Sequence, residues 1–437
     1  FSGTAALALM VALCVAAALR PGADLFAPAT LFTGVWTLCA AIGSIIVSVQ
    51  QSPWNATTWA CVVLAPVAFW IGDVCGRLLS GSAGEALPDL PRRIAPWPLR
   101  PAVVAGAAWW LAAFALSVYE FRTLTGGIPL FSTDWERVRM AGSEGYIGRV
   151  IHAIAYSGIL LAIVTQVALL SQPRLLCART VPLIVLWLAA LGLAALWGSR
   201  HTLFYPAAAA AVSFHCTRHR LGPLRIAVLA AAGFAFLAAV QFLRQSAAWS
   251  SQEDVTWLDV LRDIGYAGWP PILAQVHQTV AINFEIFRQL TETIPGLAPY
   301  HLGAFTFHWL HSLLPGAQPT LAQWQNEFWA TGFHGSLTST HMGPLYADFG
   351  IAGVVLWTAA FAAVMRCLYV SLRRAPTPAK VVWFSFFTTQ MIVMPYDNTL
   401  VKLATVLSLL ILWAGITAMG GRRAEPPPPL TARPGSA

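Results

Sequence analysis

The stretch TGGIPLFSTDWERVRMAGSEGYIGRV, residues 125–150, is charged and rich in glycine, and it stands between apolar runs at 101–124 and 150–170. Runs of about 20 apolar residues are long enough to cross the hydrocarbon core of a membrane as helices. The charged stretch is therefore expected at a membrane surface. The two runs beside it predict spanning helices that are joined there.

The composition of the whole chain favours the same fold class. Of its 437 residues, 57% are hydrophobic and only 10% are charged, and the mean hydropathy is +0.64. Soluble domains carry roughly a quarter charged residues. We therefore predict an all-α, polytopic membrane protein, with helices rather than a barrel because the apolar runs have helical span length.

The apolar runs predict about eleven transmembrane helices, at residues 4–18, 28–49, 57–79, 101–124, 150–170, 181–197, 201–214, 224–243, 349–370, 381–394 and 399–419. Four regions follow from them: eight spans at 1–243 that include an outer loop at 125–149, one large helical extracytoplasmic loop at 244–348, three spans at 349–421, and a disordered cytoplasmic tail at 422–437. Within the large loop, short amphipathic helices are predicted at 254–266, 271–294, 303–314 and 320–330.

The net charge of +8 is not spread evenly. Most arginines and lysines fall in loops on one predicted side, which is the bias that orients membrane proteins with the positive side in the cytoplasm. The basic charge is thus a topology signal, and we expect no nucleic-acid partner. The chain is expected as a multi-pass protein of a cytoplasmic membrane, with its N-terminus outside.

The seven cysteines lie in apolar runs or on the positive side, so no disulfide is expected. Four histidines of the large loop, at 301, 308, 311 and 334, have no carboxylate or cysteine at ligand spacing. We therefore expect no metal and no cofactor.

Several arginines lie at the ends of predicted spanning helices on the outer side of the membrane. The other charged residues on that side are mostly acidic. A guanidinium group stays charged and matches phosphate oxygens with a planar fork of donors. Together these side chains predict a binding site for a lipid-linked pyrophosphate, although each arginine alone could only anchor its helix end. The predicted binding residues are Arg137, Arg139, Arg149, Arg200, His201 and Arg244.

Three further residues are candidates for acid–base catalysis. His341 lies just before the ninth span, with Asp348 two turns further on, and a histidine near its ordinary pKa can deprotonate a sugar hydroxyl. Glu136 is the third candidate. Two alternatives stay open: His341 as a hydrogen-bonded residue that fixes the loop, and Asp348 as the N-terminal cap of the following helix.

Short motifs resemble the bacterial oligosaccharide repeat-unit polymerases, the O-antigen polymerase or Wzy type. They are Gly-Gly-Ile-Pro-Leu-Phe at 126–131 followed by Arg137, Gly-Ser-Arg at 198–200, Gly-Pro-Leu-Tyr-Ala-Asp-Phe-Gly at 343–350, and Pro-Ala-Thr-Leu-Phe at 28–32 with Trp36. The resemblance covers most of the chain in topology but only these short stretches in residues.

The resemblance implies a metal-independent glycosyltransferase of GT-C-like fold in the bacterial inner membrane, active on its periplasmic face. It implies polymerisation of undecaprenyl-pyrophosphate-linked repeat units in lipopolysaccharide biosynthesis, with Arg137 and Arg200 matching the family's outer arginines. Its partners would be the lipid-linked oligosaccharide, membrane lipids and a chain-length regulator.

Two other functions remain open at this point. An O-antigen ligase differs only in its acceptor, which is a lipid or protein. A lipid or saccharide transporter needs polar residues at the middle of several spans, where these runs are mostly alanine, leucine and valine. The sugar, the linkage and the oligomeric state do not follow from the sequence.

Overall fold

A computed structural model of the chain describes residues 5, 7–8, 11–12, 14–15, 24–83, 85, 87–88, 90, 94–128, 132, 146–198, 200–249, 256–314, 319–329 and 337–420. Helices make up 74% of it, and no strand occurs among these residues beyond one isolated bridge between Thr340 and Asp397. The all-α prediction is confirmed for this part of the chain.

Fifteen α-helices follow one another along the described ranges: α1 Pro28–Ser44, α2 Ala56–Leu79, α3 Leu99–Thr123, α4 Tyr146–Ala155, α5 Gly158–Leu170, α6 Val181–Leu196, α7 Arg200–Thr217, α8 Pro223–Trp249, α9 Trp257–Leu261, α10 Pro271–Thr293, α11 His308–His311, α12 Leu321–Phe328, α13 Met342–Arg374, α14 Pro378–Val393 and α15 Leu403–Ala418.

Five helical segments of the described chain are long and apolar enough to cross a membrane: Ala56–Leu79, Leu99–Thr123, Val150–Leu170, Pro223–Leu243 and Met342–Arg374. Shorter apolar helices accompany them at Pro28–Ser44, Val181–Leu196 and Leu403–Ala418. The chain is therefore a polytopic membrane protein. The first predicted span, 4–18, lies largely outside the described residues, and the count of eleven stays a prediction.

Some boundaries differ from the sequence-based expectation. The span predicted at 150–170 is interrupted by a turn at Tyr156 and Ser157, where Trp109 of α3 donates its indole N–H to the Ser157 hydroxyl at 2.8 Å. In the region predicted as the outer loop, the helix predicted at 303–314 is shortened to α11, because turns occupy 302–307. The helix predicted at 254–266 consists of α9 and a π-helical turn at Arg262–Tyr266.

Two glycines allow α2 and α13 to pack with their backbones almost in contact. A Cβ atom on Gly72 would lie 2.0 Å from the carbonyl oxygen of Ala359, and one on Gly76 would lie 2.7 Å from that of Ala363. Both helices thus present small residues four apart, which is the arrangement that membrane helices use for close approach. The second contact lies four residues nearer the C-terminus than the first on both helices, so α2 and α13 run parallel.

Gly350 bends α13 and divides it into a short first part and a long second part. Its φ of +62° and ψ of −151° lie outside the helical region, so the helix divides into 342–349 and 351–374. A Cβ at this position would meet the Tyr300 hydroxyl at 2.9 Å. Glycine suits both constraints because it has no side chain and adopts positive φ readily.

We call the end of the bundle where α2 and α13 finish the basic end, since it carries Arg77, Arg373 and Arg374. The other end, where α3 finishes and α7 begins, is the opposite end. At the basic end the buried Asp73 of α2 pairs with Arg77 at 3.0 Å and with Arg366 of α13 at 3.7 Å. This charge cluster reinforces the same helix pair that the glycines bring together.

A second buried cluster at the basic end links three segments. The Asp24 carboxylate lies 3.2 Å from His215 of α7 and accepts a hydrogen bond from the Tyr369 hydroxyl of α13. Arg373 donates to the Tyr369 oxygen at 2.9 Å and to the backbone oxygen of Leu87 at 2.8 Å. Burial raises the pKa of Asp24, but the hydrogen bonds from His215 and Tyr369 outweigh it and lower that pKa to about 2.

At the opposite end, α10 lies across the helix ends as a roof. Its Phe284 packs against Trp36 of α1 at 5.6 Å and against Trp54 at 5.3 Å between ring centroids. The Glu285 carboxylate accepts the Ser52 backbone N–H at 3.2 Å and holds Arg288 at 2.7 Å. α10 therefore meets the bundle with both apolar and charged side chains.

Candidate functional site

The structure describes only some of the residues that the sequence predicted for the site. Glu136, Arg137 and Arg139 lie outside the described residues. Four others stand on described helices, although their side chains are not among the described atoms: Arg149 in α4, Arg200 and His201 at the start of α7, and Arg244 in the last turns of α8. The gathering of their guanidinium groups stays a prediction.

The described part of the opposite end holds a buried carboxylate–histidine pair. Glu120 lies in the last turn of α3, and His152 lies in α4. Nδ1 of His152 is 2.8 Å from Oε1 of Glu120. The Glu120 side chain is fully buried, whereas that of His152 is 17% exposed. We call this pair the Glu120–His152 dyad.

Aromatic rings fix the orientation of the dyad's imidazole. The Trp197 ring meets it edge to face, with centroids 4.9 Å apart at 89°, and the Tyr156 ring stacks on it at 5.4 Å. Phe121, next to Glu120, packs against the same Trp197 at 4.8 Å. Such packing holds a side chain in one rotamer, so the dyad is preorganised.

The dyad adjoins the backbone of two predicted phosphate-binding positions. Arg149 precedes His152 by three residues on α4, so the two share one helix face. Trp197 is followed by Gly198, whose φ of +59° lets the chain turn at once into Arg200, the first residue of α7. The segment from Trp197 to Arg200 is more than 40 residues from His152 in the sequence, and it thus lies beside His152 in the fold.

Polar groups continue from the dyad toward the start of α15. The Tyr205 hydroxyl of α7 donates to Gln390 of α14 at 3.1 Å, and Gln390 also accepts a hydrogen bond from Thr399. Asp397 pairs with Lys402. The segments that meet α7 here thus hold hydroxyl groups and the Asp397–Lys402 ion pair.

The dyad can perform acid–base chemistry. Among the described atoms, Glu120 Oε1 engages Nδ1 of His152, and no hydrogen bond engages Nε2 of His152. A carboxylate in this position fixes the tautomer that leaves Nε2 able to accept a proton, and it stabilises the imidazolium that forms. The other carboxylate oxygen, Oε2, is buried and has no hydrogen-bond partner among the described residues.

His341, the predicted base, lies in a different environment. Its side chain has no exposed surface, its backbone N–H donates to the Met394 oxygen at 2.8 Å, and its Nε2 lies 3.3 Å from the Thr358 hydroxyl. The Trp36 ring covers one edge at 4.8 Å. Burial lowers the pKa of His341 to about 3, so the ring is neutral at physiological pH.

Asp348 holds a loop rather than His341. Its carboxylate accepts the backbone N–H groups of Phe305, at 3.1 Å, and of Thr306. No hydrogen bond or ion pair joins it to His341 among the described residues. The Asp348 carboxylate therefore fixes the loop at 302–307, and it does not cap the following helix as the alternative interpretation proposed.

No group of three or more histidine, cysteine or acidic side chains lies close enough to bind a metal within the described ranges. His301 instead packs against Phe305 and Trp324, with centroids at 4.7 and 4.9 Å. His308 lies 3.1 Å from the Ser312 hydroxyl. His334 lies outside the described residues.

Sequence reasoning missed the dyad, although a signal was present. Glu120 is the only acidic residue in the run 101–124, and His152 interrupts the start of the run 150–170. Ionisable residues inside apolar spans commonly mark function. Which of them pair depends on the packing of α3 against α4, and this packing is not visible in the residue pattern.

No protein-family model, curated protein or solved structure matches the chain. The functional assignment therefore depends on the residues of this chain alone.

Proposed function

We propose that this chain is a membrane glycosyltransferase that joins polyprenyl-pyrophosphate-linked oligosaccharide units on the outer face of the bacterial cytoplasmic membrane. The observation that carries the proposal is the Glu120–His152 dyad, preorganised beside the helix starts that hold Arg149 and Arg200. The dyad offers a base next to predicted anion-binding positions at the ends of helices. This arrangement suits a reaction in which a hydroxyl attacks and a phosphate leaves.

In the proposed reaction, Nε2 of His152 removes the proton from an acceptor sugar hydroxyl. The hydroxyl oxygen forms the new glycosidic bond to the anomeric carbon of the donor glycan. The bond between this carbon and the pyrophosphate breaks, and the leaving group keeps the electron pair. Glu120 orients the imidazole and stabilises its charged form.

The predicted arginines neutralise the pyrophosphate as it leaves. Arg149, Arg200 and Arg244 stand on helix segments at this end, and Arg137 and Arg139 precede α4 in the sequence. Glu136 and His201 are sequence neighbours of Arg137 and Arg200. Loss of one such contact in a water-poor site costs about 2–4 kcal/mol in the barrier. His341 does not take the role of base in this proposal, because its ring is fully enclosed.

The proposal is tested with the purified chain in liposomes that contain a polyprenyl-pyrophosphate-linked oligosaccharide. We expect a ladder of longer glycans and release of polyprenyl pyrophosphate. Arg137→Gln and Arg200→Gln should each lower turnover about a hundredfold. Arg122→Gln, an exposed position in the last turn of α3, is the matched control and should leave turnover unchanged. Full-rate polymerisation by both test variants would contradict the proposed site.

A transporter of lipid or saccharide is the second candidate, because the described spans contain more buried polar side chains than their composition suggested. Asp73, Glu120 and Gln166 are buried within helices, and the hydroxyls of Ser213 and Ser385 lie 2.9 Å apart between α7 and α14. Flux of the lipid-linked oligosaccharide across the liposome membrane, with no new glycosidic bond, would favour this function. Transfer to a lipid or protein acceptor only would favour a ligase.

A further inference from the structure

An apolar groove opens between α5, α6, α7 and α8, away from the dyad. Its cavity measures about 440 Å³ and is lined by side chains such as Leu169, Trp187, Ala211 and Phe214. Gln166 is its one hydrogen-bonding amide. The outer wall is α8, most of whose surface is not covered by other helices. A groove of this composition, within helices of span length, accepts a hydrocarbon chain.

Two polar groups in the groove wall lack partners. Gln166 is only 3% exposed, yet neither its amide oxygen nor its amide nitrogen has a hydrogen-bond partner among the described residues. The indole N–H of Trp187 is also buried and unpartnered. Unsatisfied donors are costly in a membrane, where no water replaces the missing partner. The groove therefore suits an apolar ligand that also carries hydrogen-bond acceptors.

The depth of these donors indicates where the acceptors lie. Gln166 is four residues before the end of α5, and Trp187 is six residues after the start of α6, both at the basic end. At 1.5 Å per residue these offsets correspond to about 6 and 9 Å. The headgroup layer of a bilayer leaflet is roughly 5–8 Å thick. The donors thus lie near the level of glycerol ester carbonyls.

Two basic loops flank the mouth of the groove. The loop between α5 and α6 carries Arg174 and Arg179, and the segment from the end of α7 to the first turn of α8 carries Arg218, Arg220 and Arg225. Neither loop contains an acidic residue. Basic loops above a pocket between membrane helices attract anionic headgroups.

We propose that this groove binds one anionic glycerophospholipid from the leaflet at the basic end. One acyl chain fills the groove, its ester carbonyl accepts hydrogen bonds from Gln166 and Trp187, and its phosphate lies among the arginines of the two loops. This lipid site is separate from the dyad and does not depend on the proposed glycosyl transfer.

The test measures lipid binding to the full chain in detergent, by native mass spectrometry and by melting temperature. The probes are phosphatidylglycerol and phosphatidylcholine with the same acyl chains. We expect phosphatidylglycerol to be retained and to raise the melting temperature, and phosphatidylcholine to do neither. Equal retention of the two lipids would overturn the assignment, because the arginines would then play no part.

Two variants probe the groove itself. Gln166→Leu removes the amide donors and should weaken phosphatidylglycerol binding about fivefold or more, as expected for a lost hydrogen bond. Ala211→Leu narrows the groove and should weaken it by at least as much. Ala230→Leu, on the exposed face of α8 outside the groove, is the control and should bind like the wild type.

Binding at wild-type strength by both groove variants would contradict the proposal. Displacement of phosphatidylglycerol by an equimolar amount of polyprenyl phosphate would also overturn it, since the groove would then prefer the carrier lipid. Gln166→Leu should fold at least as well as the wild type in the absence of lipid, because it removes unsatisfied buried polar atoms. A loss of binding is therefore not a loss of folding.

Discussion

At the basic end, buried carboxylates have partners on more than one side. Asp73 lies between Arg77 and Arg366, and Asp24 lies between His215 and Tyr369. At the opposite end, Glu120 is as buried as Asp73 but engages one histidine through one oxygen, and that histidine is partly exposed. Both arrangements join helices, but the second also leaves Nε2 of a partly exposed histidine without a hydrogen-bond partner among the described residues.

This difference teaches that burial of charge alone does not identify a catalytic site. A network with its charges paired inside the protein is most simply a clamp, and its loss should affect stability. A carboxylate whose histidine partner is partly exposed is available to a ligand, and its loss should affect turnover. This distinction would fail if a variant of the basic-end clusters lowered turnover without lowering stability. It would also fail if a variant of the dyad lowered stability without lowering turnover.

The largest expected effect is at the basic end. Asp73→Ala leaves Arg366 buried without its counter-charge, and removal of one partner of a buried pair costs about 3–5 kcal/mol. We expect a large drop in melting temperature in detergent, with turnover per folded molecule retained. Glu85→Ala is the control, since its pair with Arg374 is exposed, and it should leave the melting temperature nearly unchanged. If Asp73→Ala melted like the wild type, the cluster would not be a clamp.

The next largest effect is at the dyad. His152→Gln should lower turnover about a hundredfold or more, since a positioned base commonly contributes two to four orders of magnitude. Its melting temperature should stay within a few degrees of the wild type. His219→Gln, an exposed histidine at the basic end, is the matched control and should retain full turnover. Unchanged turnover in His152→Gln would remove the dyad from the mechanism.

A smaller effect is expected where α2 meets α13. Gly72→Ala places a methyl group 2.0 Å from a backbone oxygen, and overpacking of this kind costs about 1–3 kcal/mol. Gly192→Ala in α6 is the control, because nothing lies within 4 Å of its added methyl. The melting temperatures of the two variants should therefore move apart. A drop in both would indicate that α6 is packed more closely than described.

The smallest effect is the pH dependence from His341. Its folded-state pKa is about 3, below the ordinary 6.5, so the unfolded chain takes up a proton that the folded chain does not. The stability that comes from the neutral His341 ring is complete above pH 6.5. It falls by at most about 1.4 kcal/mol per pH unit between pH 6.5 and 3. His341→Gln should show a shallower fall in melting temperature from pH 7 to 5. An equally steep fall in both proteins would show that the ring is not held neutral.

The sequence predicted most of the fold because spans depend on composition over about 20 residues. Helices overlap each of the predicted spans from residue 28 onward, and the amphipathic α10 lies at 271–293 against a prediction of 271–294. The kink at Gly350 was not predicted, because it depends on the approach of Tyr300 from the outer loop. Residue pattern alone does not encode that contact.

The candidate site was less predictable. The charge pattern drew attention to the stretch 125–150 and to Arg200, and the dyad lies beside both. The pairing of Glu120 with His152, 32 residues apart, is set by packing around Trp197. The sequence also favoured His341 because of its loop position, but the aromatic cover over this ring comes from α1, far away in the chain.

The most direct test of the account is an experimental structure of the chain with a polyprenyl pyrophosphate bound. We predict density for the diphosphate between the first turns of α4 and α7, with the guanidinium groups of Arg137, Arg149 and Arg200 turned toward it and His152 within reach of the donor sugar. Diphosphate density elsewhere, or arginine side chains directed to separate surfaces, would contradict the assignment of this end as the catalytic one.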